Sequence, residues 1–187
     1  MQAERRLDLK LGFACNNRCL FCAQGEKRTE CVARPPEQLL AELRAARPDA
    51  RGLVLTGGEP TLYKKLVPLV QAASRLGYSS IQLQTNGRML AYPEVLGALV
   101  AAGVTEISPS VHGPNAEVHD ALTQAPGSFG ETTRGIANAV AAGLQVITNS
   151  VITQHNLALL GEMVELLASL GVRAAQLAFV HPVGTAL

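Results

Sequence analysis

One pattern runs the length of the chain: a short β-branched run, a polar loop, an amphipathic helix, a glycine, then the next run. The runs fall at 5–11 (RRLDLKL), 52–56 (GLVLT), 80–85 (SIQLQT), 104–110 (VTEISPS), 145–152 (QVITNSVI) and 174–180 (AAQLAFV), and each reads as a strand. Between them apolar residues recur at helical spacing. Leu39, Leu40 and Leu43 follow Pro35-Pro36, and Leu66, Leu69, Val70, Ala73 and Leu76 form a second stripe. Val95, Leu96, Leu99 and Val100 make a third; Ile136, Ala139 and Val140 a weaker fourth; Leu159, Leu160, Met163, Val164, Leu167 and Leu170 a fifth. Gly77, Gly103, Gly143 and Gly171 follow four of these helices, where a left-handed residue would release the chain into the next strand. Alternation of this kind selects parallel βα units with right-handed crossovers. The expected fold is α/β, a partial (βα)6 TIM-like barrel of parallel strands with helices outside. It forms one domain over residues 1–187. The sequence stops just after the sixth strand, at HPVGTAL, which predicts a truncated or unusually short member of its class.

Parallel βα architectures gather functional residues in the loops after the C-terminal strand ends. The unusual residues of this chain fall there. Cys15–Cys22 follow the first strand, Gly57-Gly58-Glu59-Pro60 the second, and Thr85-Asn86-Gly87 the third. Ser110-Val111-His112-Gly113 follow the fourth, Asn149-Ser150 lie on the fifth, and His181-Pro182 follow the sixth. All of them point to one rim.

Composition excludes several classes of function. With 48% hydrophobic and 17% charged residues the chain can build a core and is not a solvating, disordered one. A net charge of +1 provides no field to draw nucleic acid, and with 4% aromatics and no Trp a base-stacking surface is not expected. No apolar run reaches the roughly 18 residues that span a bilayer, and the N-terminal MQAERRLDLKLG has no signal-peptide pattern. The expected compartment is the cytoplasm, where clustered cysteines serve metal or redox chemistry rather than disulfides.

Three of the four cysteines, Cys15, Cys19 and Cys22, lie within CNNRCLFC. Soft thiolates select iron–sulfur clusters or zinc. A structural zinc site wants four ligands, and here the fourth would be Cys31 or one of the distant His112, His119, His155 and His181. A three-thiolate cubane with one open iron needs no fourth protein ligand. From spacing alone, a Cys3His zinc knuckle and an open cluster both stand.

The C-x3-C-x2-C spacing, with Phe21 before the last cysteine and a strand before the first, resembles the radical S-adenosylmethionine (radical SAM) superfamily. The resemblance continues in TGGEP (Thr56–Pro60), TNG (Thr85–Gly87), SVHG (Ser110–Gly113) and NSVI (Asn149–Ile152). It implies that Cys15, Cys19 and Cys22 are the metal ligands and catalytic centre, holding a [4Fe-4S] cluster. The open iron would be chelated by the amino and carboxylate groups of S-adenosylmethionine. One-electron cleavage would then give methionine and a 5′-deoxyadenosyl radical that takes hydrogen from substrate. Glu59 would face the ammonium and sulfonium, Gly57 and Gly58 would admit the methionine, and Pro60 would stiffen the exit. Phe21, Asn86, Ser110, Asn149, Ser150 and His181 would make the remaining cofactor contacts. The implied partners are an external one-electron donor of flavodoxin or ferredoxin type and a peptide or small-molecule substrate; neither membrane nor nucleic acid is expected. Relatives often carry substrate-recognition elements beyond the sixth strand. His112 departs from the acidic residue many relatives have there. Cys31 reads as an uninvolved thiol, and Arg28, Arg34 and Arg88 as candidates for anionic ligands. The alternative reading is an iron–sulfur or zinc protein that transfers electrons or binds a partner without cleaving S-adenosylmethionine.

Overall fold

The computed structural model describes residues 5–25, 27 and 33–186. Cys31 and Arg28 lie outside the described residues. Six strands, β1 (Arg6–Lys10), β2 (Gly52–Thr56), β3 (Ser80–Thr85), β4 (Glu106–Pro109), β5 (Gln145–Ile152) and β6 (Ala174–Phe179), pair in sequence order in one parallel sheet. With helices on its outer face, this sheet is the expected partial (βα)6 barrel. β4 is shorter than the expected 104–110, and a bridge from Ser110 to Asn149 carries its direction on towards the rim.

The helices are α1 (Pro36–Ala46), α2 (Leu66–Arg75), α3 (Pro93–Ala102), α4 (Ala116–Thr123), α5 (Ser128–Ala141) and α6 (Leu160–Ser169). Five were expected; α4 was not. Its eight residues are too few to display a helical period, and its clearest signal is the cap, where the Asn115 side chain accepts from Val118 N–H. The four glycines after α2, α3, α5 and α6 all have positive φ, from 76° at Gly143 to 116° at Gly103. At that angle a side chain would be strained, so glycine is the economical stop.

Strand alternation divides the sheet into two unlike faces. Leu9, Leu53, Leu55, Ile81, Leu83 and Ile107 are buried against Leu39, Leu43, Leu69, Val70, Leu99 and Ile136 from the helices. The opposite face is largely polar, with Asp8, Gln82 and Glu106 in register on either side of Val54. At the N-terminal end of the strands Glu106 accepts from Arg6 at 2.7 and 3.0 Å, Ser80 at 2.5 Å and Gln82 at 3.2 Å. This knot joins β1, β3 and β4. The other end of the polar face stays open.

Candidate active site

The loop that carries the cysteines leaves β1 without helix or strand from Leu11 to Cys22. Its backbone groups are satisfied by elements distant in sequence. Arg18 N–H donates to Thr123 O at 2.9 Å and Leu20 N–H to Leu122 O at 3.0 Å, so the end of α4 holds its middle. Asn86 Nδ2 donates to Asn16 Oδ1 at 2.6 Å, and Arg88 donates to Asn16 O at 2.6 Å and Asn17 Oδ1 at 2.9 Å. Arg88 is itself paired with Glu131 of α5 at 2.5 Å, and Arg34 with Glu42. Neither arginine is left over for an anionic ligand; both are committed to internal partners.

The second strand's loop runs against the first in a close backbone contact. Gly58 N–H donates to Gly12 O at 2.9 Å and Glu59 N–H to Ala14 O at 2.8 Å. A Cβ on Gly57, whose φ is +152°, would lie 2.5 Å from Gly12 O, and one on Gly58 would lie 2.2 Å from Phe13 O. Glycine is required here for approach, not only for conformation.

These loops border a cavity of about 290 Å³, which Cys15, Cys19 and Cys22 all line. None of the three cysteines is in a disulfide, and each is half-buried. Burial raises the Cys15 thiol above its ordinary value, and the nearby Glu59 charge adds to this, while the Asn17 N–H on its sulfur at 3.4 Å pulls the other way. Phe21, Gly57, Gly58, Asn86, Ser110 and Asn149 line the same cavity. Asn149 Oδ1 is buried and has no hydrogen-bond partner among the described residues.

Four of the residues expected at the cofactor do not line this cavity. Glu59 is 3% exposed and does not line the cavity. Its Oε1 accepts from Thr61 N–H at 3.0 Å, Thr61 Oγ1 at 2.6 Å and Thr85 Oγ1 at 2.7 Å, and its Oε2 accepts from Asn86 N–H at 2.6 Å. It thus braces the β2 and β3 loops against each other. Pro60 is buried beside it, bordering a smaller hollow. Ser150 faces the helix layer, the side taken by Val146, because neighbouring strand residues point to opposite faces. His181 is exposed at the end of β6 and does not line the cavity.

Sequence reasoning also missed residues. Thr56, Gln84 and Val151 line the cavity. Each shares strand parity with an inward-facing neighbour, Val54, Gln82 or Asn149, and that parity was the available signal. Asn17, 4% exposed, lines it from the cysteine loop and carried no signal beyond its polarity.

His112 lines the cavity as part of a buried aromatic group. Its ring meets Phe21 edge-on at 4.6 Å and stacks with His119 at 5.9 Å. Val151 N–H donates to His112 Nδ1 at 3.2 Å, and His112 N–H donates to His119 Nδ1 at 3.2 Å. An acceptor nitrogen carries no proton, so each neutral ring holds its hydrogen on Nε2. Burial depresses both pKa values, to about 3 for His112 and about 4 for His119, with the His119 charge adding to the first. An unfolded histidine titrates near 6.5. Between those values the unfolded chain binds more protons. Stability therefore falls as pH drops from 6.5 towards 4, by ~1.4 kcal/mol per pH unit for each histidine. Urea midpoints measured from pH 7 to pH 4.5 should show this decline, and His119→Gln should flatten it by about one proton. A flat wild-type profile would contradict the buried neutral pair.

An iron–sulfur cubane distributes its protein ligands over different irons, so its thiols must ring a space and need not converge on a point. The three cysteines do ring one cavity. Among the described residues no three His, Cys, Asp or Glu side chains are close enough together to hold a single ion. Gly57, Gly58 and Asn149 line the same cavity and leave room for a polar ligand beside the cluster. The donor set fits a [4Fe-4S] cluster with a small chelating molecule. No helix of the described residues is long and apolar enough to cross a membrane.

Comparison with known proteins agrees with this geometry. The family model of the Radical SAM superfamily matches residues 9–167. A probable GTP 3′,8-cyclase of Saccharolobus islandicus is 33% identical over 180 residues, which is 95% of this chain and 58% of that protein. One of Sulfurisphaera tokodaii is 28% identical, over 95% of this chain and 56% of its own length. The chain thus spans somewhat over half the length of these relatives. Streptococcus suis SuiB bound to S-adenosylmethionine superposes with a TM-score of 0.78 at 19% identity, covering 95% of this chain and 41% of that one. The protein anSMEcpe, with AdoMet and a peptide bound, gives 0.78 at 17% identity over 94% of this chain and 51% of its own. At these identities the structural likeness is one of fold.

Proposed function

This chain belongs to the radical SAM superfamily, and from that premise we propose that it is a radical SAM enzyme whose substrate is a purine nucleotide, GTP. The ring of three thiols around one cavity carries the catalytic reading. The substrate rests on the relatives named as probable GTP 3′,8-cyclases, which match 95% of the chain. A free nucleotide is a small molecule, so it falls within the substrate class expected from sequence. The peptide half of that expectation is supported only by neighbours below 20% identity, which speak to fold.

A [4Fe-4S] cluster with S-adenosylmethionine supplies one-electron cleavage of the C5′–S bond and a 5′-deoxyadenosyl radical. The chain's own residues prepare the place. Cys15, Cys19 and Cys22 hold the cluster as thiolates, so loading it releases protons. Gly57 and Gly58 let the β2 loop close on residues 12–14, so that their backbone lines the cavity beside the thiols. Asn149 lines the cavity with a polar side chain. His112, fixed by Val151 N–H on its Nδ1, lines the cavity as a neutral ring. Glu59 ties the β2 loop to the end of β3. Electrons would come from an external flavodoxin- or ferredoxin-type donor.

Closing a bond between C3′ and C8 of GTP requires that C3′ lose its hydrogen. Anaerobically reconstituted protein, given S-adenosylmethionine, a strong reductant and GTP deuterated at C3′, should release 5′-deoxyadenosine carrying deuterium. Unlabelled 5′-deoxyadenosine, formed equally without GTP, would reject the nucleotide and leave the enzyme class standing. No cleavage by protein with an intact cluster would favour the electron-transfer alternative.

A further inference from the structure

After β6 the chain turns back onto the cysteine loop. β1 and β6 are opposite edges of the sheet, and the short turn Gly184–Ala186 spans from the β6 side to the loop that follows β1. Thr185 makes four contacts there. Its N–H donates to Cys22 O at 3.1 Å. Its Oγ1 accepts from Cys22 N–H at 2.8 Å, and its hydroxyl donates to Cys19 O at 3.0 Å, with Cys22 O at 3.4 Å. One hydroxyl therefore spans both ends of the Cys19–Cys22 turn, whose own N–H···O contact is a long 3.3 Å. Gly184 allows this approach. It has a φ of +64°, and a Cβ on it would stand 2.1 Å from Cys22 O.

We propose that Gly184-Thr185 is a positioning latch for the cluster: it fixes the Cys19–Cys22 turn and occupies the Cys22 N–H. The inference rests on the reading that these thiols hold a [4Fe-4S] cluster. A backbone N–H near a cluster tunes its potential when it bonds to sulfur. Here the Thr185 hydroxyl takes that N–H, and it also closes the turn that sets the spacing of the two sulfurs. Thr185 bonds the backbone of Cys19 and Cys22, so its action is exerted through them.

Thr185→Val keeps the side chain's shape and removes its hydroxyl. In the reconstituted protein, iron loss to a chelator should quicken about fivefold, the factor expected for one hydrogen bond of ordinary net worth. The reduction potential of the cluster should shift from the wild-type value. Thr185→Ser should restore both, and metal-free Thr185→Val should melt no more than about 4 °C below wild type. Thr185→Val with wild-type chelator kinetics and potential would overturn the proposal. So would faster iron loss at an unchanged potential, which would make the contact merely structural. Wild-type protein that takes up no iron and sulfide would instead sink the cluster reading itself.

Discussion

Cys19→Ala should hold no stable cluster and release no 5′-deoxyadenosine. Wild-type protein reconstituted anaerobically should carry about four irons per chain, the content of one cubane. Removing one of three thiolates leaves two anchors on a cluster that already has one iron free of protein, too few to retain it. The fold should survive, because the loop's ties run through backbone: Arg18 and Leu20 to α4, and Cys19 O to Thr185. Unfolding of the metal-free protein should therefore change by no more than ~1 kcal/mol, within the range of substitutions that create no core cavity. Cys31→Ala, by the sequence argument, should keep both iron and cleavage. Iron retained in Cys19→Ala but lost in Cys31→Ala would mean that the ligand set has been misassigned.

The second large effect is expected at a residue with no side chain. In Gly58→Ala the new methyl would meet Phe13 O at 2.2 Å, Ala14 O at 2.4 Å and the Phe13 carbonyl carbon at 2.6 Å. All three are backbone atoms, so no rotamer change relieves the contact. Residues 12–14 would have to move away, breaking the bonds from Gly58 N–H to Gly12 O and from Glu59 N–H to Ala14 O. Cys15 would move with them. The cost should be about 3 kcal/mol, the upper end for overpacking a tight site. The iron retained after reconstitution should also fall at least about tenfold, since a displaced ligand binds poorly. Urea unfolding of the metal-free chain together with iron analysis checks both parts. Wild-type values in both would show that the loop accepts the methyl, and the packing account would fail.

The fold was legible because its signals are local and repeated. Each strand is a short β-branched run, each of four helices ends on a glycine, and the two periods differ enough not to be confused. The helix α4 escaped because eight residues carry barely two turns, and its best marker was the single cap at Asn115. At the site, the cysteines, Gly57-Gly58, Ser110 and Asn149 were legible as unusual residues at strand ends. Side-chain direction was harder. Asn149 and Ser150 are both small and polar, and only parity with Val146 and Ile152 shows which one turns inward. Glu59 was assigned to the ligand because its chemistry suits a cation. Its hydrogen-bond partners Thr85 and Asn86 lie at the end of the next strand, and a pairing across that distance leaves no trace in spacing. The His112–His119 pair was hidden for the same reason: two histidines seven apart announce nothing until a turn and a helix stack them.

The cysteine loop has almost no scaffold of its own. Its anchors at 86–88, at 122–123 and at 184–185 belong to three stretches that come together only in the finished sheet. A nascent chain that has made β1 and the loop thus lacks most of what shapes it until α4 is in place, and its last anchor until the turn after β6 has formed. Loading with iron and sulfide is then a late event in the protein's life, a step of maturation on a completed vessel rather than a nucleus around which the polypeptide gathers.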